Sequence, residues 1–164
     1  MGKNFLILVF FLCSFNSIAQ SSTSVQINSR ATIIDPLNIT NSVDLDFGNV
    51  ISSFNPGTVI LSPDGTRSAN GVHISNNFPG HVAPAEAIVK HGNNNYSITL
   101  PKSFILYNQN DPNQVLTIDE FTVSPETGEV MDVLKIGATL NLKANQSAGF
   151  YTNTSGFNVT VSYN

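Results

Sequence analysis

Histidines are the first residues to consider for chemistry, because they bind metals and exchange protons near neutral pH. The chain has three, His73, His81 and His91, and their intervals match no spacing of a metal-ligand motif. His73 lies between two aliphatic residues, which predicts the outward position of a strand, and His91 precedes Gly-Asn-Asn, which is typical of a turn. A hydrolase with a nucleophile elbow would need G-x-S-x-G, which is absent from the sequence. The sequence therefore predicts no enzyme and no cofactor.

Carboxylates at alternate positions are the second candidate for a metal site. Asp44 and Asp46 open the run Asp-Leu-Asp-Phe-Gly-Asn, and calcium takes several oxygen ligands within a loop. The two carboxylates follow the two-residue period of a strand, whose apolar partners are Leu45 and Phe47. We therefore expect Asp44 and Asp46 on the solvent face of a strand, without a metal ion.

One polar loop is the best candidate for binding a ligand. Residues 108–113 read Asn-Gln-Asn-Asp-Pro-Asn, and their amide groups could form hydrogen bonds to a sugar. The candidate contact residues are Asn108, Asn110, Asp111 and Asn113. The ordinary interpretation of the same stretch is a long polar connection within a β-hairpin. The sequence does not identify a small-molecule ligand.

The N-terminal end indicates where the protein acts. Residues 1–20, MGKNFLILVFFLCSFNSIAQ, combine an early Lys3, an apolar run and a small-residue exit, which together predict a secretory signal peptide over residues 1–19. The apolar run at residues 5–15 is too short to cross a bilayer, and no later segment is long enough. The protein is therefore expected to be exported to the periplasm, the cell surface or the extracellular medium, with no membrane span.

Composition argues against nucleic acid as a partner. The chain has seven Lys and Arg against eleven Asp and Glu, and loss of Lys3 with the signal leaves a net charge of −5. This charge is spread along the chain, and the sequence has no basic stripe of the kind that releases counterions from a phosphate backbone. The only cysteine, Cys13, lies within the signal, so the exported chain depends on packing without disulfides. Its length suits one domain with a single core.

Alternation of apolar and polar residues recurs along the exported chain and predicts an all-β fold. The clearest run covers residues 134–142, and a second covers residues 157–163. Residues 87–89 are predicted as a strand because Ile and Val favour the pleated surface. Turn signals about every ten residues are typical of an antiparallel sandwich or barrel. Shorter predicted strands lie at residues 25–27, 45–47, 72–74, 96–100 and 121–123.

The start of the exported chain has two alternative roles. Residues 20–29 are predicted as a flexible leader that carries a donor strand, and residues 30–164 as a single β-sandwich domain. The alternating strand could complete its own sandwich, or it could add to the open edge of a neighbour by β-augmentation. The candidate residues for strand exchange are Val25, Ile27 and Ile33. The expected partners are further copies of the chain or other surface subunits.

Two segments, read in order, resemble a known family. Residues 44–48 carry the pattern D-L-x-F-G, and residues 144–151 carry A-x-Q-x-A-G-x-Y ahead of the last predicted strand. With these pieces the whole exported chain resembles the secreted bacterial family called domain of unknown function 4402. The resemblance implies an immunoglobulin-like antiparallel β-sandwich and a pilin-like or coat-type subunit, and it provides no catalytic or binding residues. Residues 108–113 are longer than the family's usual loop.

The junction Ala19-Gln20 is similar to signal cleavage points in Bacteroidota, which implies a Gram-negative source. Two functions from different classes follow from the sequence. The first is a non-enzymatic surface subunit of a pilus, fibre or coat, assembled by β-strand pairing. The second is a secreted, adhesin-like monomer that presents loops such as residues 76–81 or 108–113 to a glycan or protein.

Overall fold

The computed structural model describes residues 21–164, so the predicted signal peptide lies outside the described residues. The chain divides into two units, Met1–Ile33 and Ile34–Asn164. The described part of the first unit, residues 21–33, is called here the N-terminal arm. Every residue of the arm is exposed, and none belongs to a strand or a helix. Within residues 21–164, no helix is long and apolar enough to span a membrane.

All strands of the described chain belong to the second unit. In chain order they are β1 (Asn38–Val43), β2 (Val50–Ile51), β3 (Gly57–Leu61), β4 (Arg67–Asn70), β5 (His73–Ile74), β6 (Ala85–Lys90), β7 (Tyr96–Thr99), β8 (Ser103–Asn108), β9 (Val115–Glu126), β10 (Met131–Leu142), β11 (Tyr151–Thr152) and β12 (Thr160–Tyr163).

Strand β10 is the centre of the main sheet, because one of its edges pairs with two strands in succession. Residues 131–136 pair with β6, and residues 138–142 pair with β3. The other edge of β10 pairs with β9. The main sheet follows the order β1-β6-β10-β9-β8-β11, and β4 extends it beyond β3. Every strand pairing among the described residues is antiparallel.

Gly137 occupies the point where β10 changes partners. A Cβ added at this position would lie 2.2 Å from the carbonyl oxygen of Leu61, so a side chain there would obstruct the close approach of β3. On the opposite edge, the register with β9 shifts between Gly137 and Thr139, and Glu120 has a φ of 47°. An extra residue on one strand is a β-bulge, which bends the strand and increases its twist. The sheet curls, and its end strands β1 and β11 line the same cleft.

Alternate side chains of β10 connect two core clusters. Leu134 and Ile136 pack with β6, and side chains of β7 and β12 cover them from the other layer. Leu140 and Leu142 pack with β3 and β9, and β2 and β5 contribute partly buried side chains to this second cluster. The predicted all-β antiparallel sandwich is therefore confirmed.

The strands predicted at residues 87–89, 96–100, 121–123 and 134–142 correspond to β6, β7, β9 and β10. Three other predicted segments differ from the structure. Residues 25–27 form no strand, residues 45–47 make only one isolated bridge, between Asp46 and Ala83, and residues 157–159 precede β12 without joining it. Apolar alternation alone does not produce a strand, because each strand also needs a neighbouring backbone to pair with.

Candidate functional site

A cleft of about 1200 Å³ opens beside the core of the second unit. Its floor includes the core side chains of Leu116, Ile118 and Leu140. One wall consists of β1 and residues 44–52, and the opposite wall consists of residues 146–159. Ligand pockets for small molecules usually measure roughly 300–1,000 Å³. The volume and the apolar floor therefore suit a longer occupant, such as a peptide segment.

Arg67 holds the first wall in place through backbone carbonyl groups. Its Nη1 donates to the oxygens of Phe47 at 2.6 Å, Pro79 at 3.2 Å and Asn49 at 3.3 Å. Gly48 has a φ of 68°, and a Cβ there would lie 2.3 Å from the Pro79 carbonyl oxygen. The chain bends here because glycine adopts this backbone conformation without strain. This bend is the physical reason why the predicted strand at residues 45–47 is reduced to a bridge.

The candidate calcium ligands of the first wall form hydrogen bonds within the protein. Asp46 Oδ1 accepts a hydrogen bond from the Gly48 N–H at 2.8 Å, and its Oδ2 lies 3.2 Å from His81 Nδ1. Asp44 Oδ1 accepts one from Asn41 Nδ2 at 2.7 Å. Within residues 21–164, no three His, Cys, Asp or Glu side chains converge as metal ligands.

The cleft has an acidic lining. Asp44, Asp46 and Glu86 are its carboxylates, and neither lysine nor arginine lines it among the described residues. An occupant with a positive charge would therefore meet complementary charge at this surface.

A hydrogen-bonded Gln–Tyr pair shapes the second wall. The buried Gln146 donates from Nε2 to the Tyr151 hydroxyl at 2.8 Å, and that hydroxyl donates to the Ser147 carbonyl oxygen at 2.7 Å. Gln146 Oε1 also lies 3.3 Å from the backbone N–H of Lys143, which donates to it. The A-x-Q-x-A-G-x-Y pattern therefore has a structural role, since its Gln and Tyr fold residues 143–151 into a compact turn.

Asn108 supports this second wall from the interior. Its side chain is buried, its Nδ2 donates to the Ala148 carbonyl oxygen at 3.3 Å, and its Oδ1 accepts from the Asn110 N–H at 2.9 Å. A Cβ added at Gly149 would lie 2.3 Å from Asn108 Nδ2, so the backbone and this amide are in close contact. Asn108 thus fixes the position of the wall.

The other three loop residues, Asn110, Asp111 and Asn113, are exposed in the connection between β8 and β9. The predicted hairpin connection is confirmed by this pairing. Asp111 Oδ1 accepts hydrogen bonds from the backbone and the side chain of Asn113, each at 3.1 Å. Contact of this loop with a ligand stays a prediction.

Two stretches of backbone beside the cleft, the free edge of β1 and residues 157–159, are unpaired within the part of the chain that the structure describes. Strand β1 pairs with β6 along one edge, and its second edge has no strand partner among the described residues. Across the cleft, no backbone hydrogen bond joins Phe157, Asn158 or Val159 to another residue within 21–164. Phe157 and Val159 nevertheless pack against the core. Unpaired N–H and C=O groups of this kind are a template for an additional strand.

The three predicted strand-exchange residues lie in the N-terminal arm. Val25 is 81% exposed, Ile27 is 85% exposed and Ile33 is 96% exposed. Exposure of three large aliphatic side chains within nine residues is unfavourable for an isolated chain in water. The arm therefore presents apolar surface that is available for burial elsewhere.

A buried polar cluster at the far end of β10 was missed by sequence reasoning. Tyr96 donates its hydroxyl hydrogen to Asp132 Oδ2 at 2.5 Å, and the Gly128 N–H donates to Oδ1 at 2.9 Å. His91 begins the predicted turn, but its ring is buried, with Nε2 3.2 Å from Asp132 Oδ1. The signal was present, because extending the alternation of residues 134–142 backwards places Asp132 on the buried face. None of these four residues lines the cleft.

Burial and hydrogen bonding act on the two acids of this cluster. Burial raises the pKa of Tyr96, and the hydrogen bond to the charged Asp132 raises it further. Burial alone would raise the pKa of Asp132, but hydrogen bonds from Tyr96 and Gly128 and the neighbouring His91 outweigh it and lower that pKa. The cluster therefore keeps a carboxylate beside a neutral phenol over a wide pH range.

The profile of the family described as Domain of unknown function (DUF4402) matches residues 37–163. The chain belongs to this family. The DUF4402 match covers all strands of the described chain and both walls of the cleft, and it begins after the N-terminal arm. The two motif segments that resembled the family lie on opposite walls of the same cleft. No curated protein and no solved structure matches the chain.

Proposed function

We propose that this DUF4402 protein is a non-enzymatic structural subunit, exported to the cell surface, that assembles with other copies by β-strand pairing. The observation that carries the proposal is the cleft, which opens onto the apolar core between two unpaired stretches of backbone. A strand supplied by another molecule would cover the floor and pair with these stretches, as in β-augmentation. The predicted signal peptide supports export of such a subunit.

Burial of the apolar arm supplies a driving force for this association. Burying Val25, Ile27 and Ile33 would contribute roughly 1.5–3 kcal/mol each, a gross gain of about 4.5–9 kcal/mol. Since 1.4 kcal/mol corresponds to a tenfold change in an equilibrium constant, loss of one such side chain should weaken association by roughly 10- to 150-fold. Ordering the arm has an entropic cost that opposes this gain. A cleft that is already formed before the arm binds avoids a further cost of the same kind.

Light scattering coupled to size-exclusion chromatography tests the proposal on the chain from Gln20. We expect oligomers whose mass rises with concentration. Replacing Val25, Ile27 and Ile33 together by Ser should give a folded monomer, while Val130→Ser, at an exposed aliphatic residue outside the cleft, should leave assembly unchanged. A folded wild-type chain that stays monomeric at every concentration would refute the proposal.

A monomeric binding module is the second candidate function. The observation that favours it is the exposure of Asn110, Asp111 and Asn113 in the β8–β9 connection, where amide groups are accessible to a glycan or protein. This function predicts a monomeric wild-type chain whose binding to a glycan array is lost in the double variant Asn110→Ala, Asn113→Ala. Unchanged glycan binding in that variant, or its absence in the wild type, would exclude this loop as the binding site for the glycans on the array.

A further inference from the structure

We infer that the occupant of the cleft is the N-terminal arm of a second copy of this chain, inserted with its apolar face on the floor and with Arg30 at the acidic lining. This inference rests on the proposed function, and it names the partner segment and the residue that fixes its register.

The side-chain pattern of the arm fits such a strand. Apolar residues occupy positions 25, 27, 31 and 33, with the small Ser29 between them, and polar residues occupy positions 26, 28, 30 and 32. Successive side chains of a strand point to opposite faces, so residues 25–33 present one apolar face and one polar face. In an extended conformation this stretch would be about 30 Å long at roughly 3.3 Å per residue. The arm can therefore cover the floor while its polar face remains in solvent.

Charge complementarity identifies the arm more specifically than its apolar pattern does. Arg30 is the only charged residue of the arm. The acidic and basic side chains of the cleft lining are the carboxylates of Asp44, Asp46 and Glu86 and the imidazole of His81, whose Nδ1 lies 3.2 Å from Asp46 Oδ2. Electrostatic complementarity of this kind contributes mainly to register and specificity. A slip of one residue would place Arg30 against the apolar floor, which is strongly unfavourable for a charged group.

The chain's entry into β1 favours an arm from a second copy. The Tyr163 hydroxyl donates to the carbonyl oxygen of Asp35, which fixes the chain just before β1. The residues between the arm and β1, 34–37, form no turn or reversal. An arm lying beside its own β1 would need such a reversal, whereas an arm from another copy would not.

A synthetic peptide of residues 21–33 tests the inference directly. It is titrated, with a fluorescent label, into the full exported chain in which Val25, Ile27 and Ile33 are all replaced by Ser, so that the cleft is not filled by a native arm. We expect saturable binding at one peptide per chain. The peptide variant Arg30→Glu should bind at least about tenfold more weakly, because like charges then meet across the contact.

Charge reversal on the cleft supplies the matched test. In the same chain, Asp44→Lys should weaken binding of the wild-type peptide and restore binding of the Arg30→Glu peptide. Glu129→Lys makes the same charge change at an exposed residue outside the cleft and should alter neither peptide. Circular dichroism and thermal melting of each variant establish that the chain remains folded.

Engineered cysteines give a second readout, since the exported chain has no cysteine of its own. In the otherwise wild-type chain, one tagged copy carries Arg30→Cys, and a differently tagged copy carries Asp44→Cys, at an exposed residue of the cleft lining directly after β1. Under mild oxidation we expect a disulfide between the two copies, and none when Glu129→Cys replaces Asp44→Cys. If the wild-type chain assembles but the peptide fails to bind the cleft, the inference is overturned and the proposed function stands. If the chain stays monomeric and a copy carrying both Arg30→Cys and Asp44→Cys links only within itself, both fall.

Discussion

Substitution of Gly137 by Ala tests the point at which β10 exchanges β6 for β3. The added Cβ would lie 2.2 Å from the Leu61 carbonyl oxygen, where van der Waals contacts are ordinary only beyond 3.4 Å. Relief of this overlap requires a shift of roughly an ångström between two strands of a close-packed core. Overpacking of this kind typically costs about 1–3 kcal/mol. For a domain of this size the midpoint of thermal unfolding should fall by roughly 3–12 °C.

The sign of the change in melting temperature distinguishes a steric conflict at residue 137 from the ordinary effect of replacing Gly by Ala. Without the Leu61 contact, Ala in a strand interior should be about 0.5–1 kcal/mol more stable than Gly, because it loses less backbone entropy on folding. Calorimetry on the chain with the Ser-substituted arm avoids interference from self-association. A melting temperature equal to or above that of the parent would refute the steric conflict expected between a side chain at residue 137 and β3. Gly65→Ala is the control, because its φ is 85° and no atom lies within 4 Å of the added Cβ, so that variant reports backbone strain alone.

Three further substitutions test the buried cluster and the first wall. Tyr96→Phe should lower stability at pH 7 by about 1.5–3 kcal/mol, since Asp132 loses a hydrogen bond. It should also reduce the loss of stability above pH 10, because the raised pKa of Tyr96 in the folded state means that its phenol ionises at lower pH in the unfolded chain than in the folded chain. Asp132→Asn should reduce the loss of stability below about pH 4. The lowered pKa of Asp132 stabilises the fold above that range, and this contribution disappears as the pH falls through the folded-state pKa. Urea titrations at each pH measure both effects, and parallel wild-type and variant profiles would contradict them. Arg67→Lys should lower stability by about 1.5–3 kcal/mol and weaken peptide binding to the cleft, because an ammonium group does not reproduce the guanidinium geometry; unchanged melting and unchanged peptide affinity would exclude a role for Arg67 in holding the wall.

The repeating features of the fold were predictable from the sequence. Alternation placed β6, β7, β9 and β10 because the side-chain period of a strand is visible in any half-buried sheet. The β8–β9 connection was predictable from its polar residues. The family was predictable from two short motifs, whose residues lie on both walls of the cleft.

The features that create the cleft were not predictable by the same means. Glu120 adopts a positive φ at the bulge, and nothing in its residue type marks that position. Asn108 belonged to a predicted ligand loop, but its side chain is buried because it bonds to Ala148, far away in sequence. The cleft itself depends on the end strands β1 and β11 coming to line the same space, and periodicity identifies strands without identifying their neighbours.

The pairings of β10 also imply an order of folding. Strands β9 and β10 form a hairpin, as do β8 and β9, so both pairings join residues that are close in sequence. The pairing of β10 with β3 instead joins Ala138 to the distant Leu61. Contacts between distant residues form late, because closing a long loop has a large entropic cost. The floor of the cleft should therefore acquire structure before the β3 strand docks. Each newly synthesised molecule would then pass through a stage in which this apolar meander is uncovered. The speed of β3 docking would determine whether the meander pairs first with its own β3 or with a neighbouring chain.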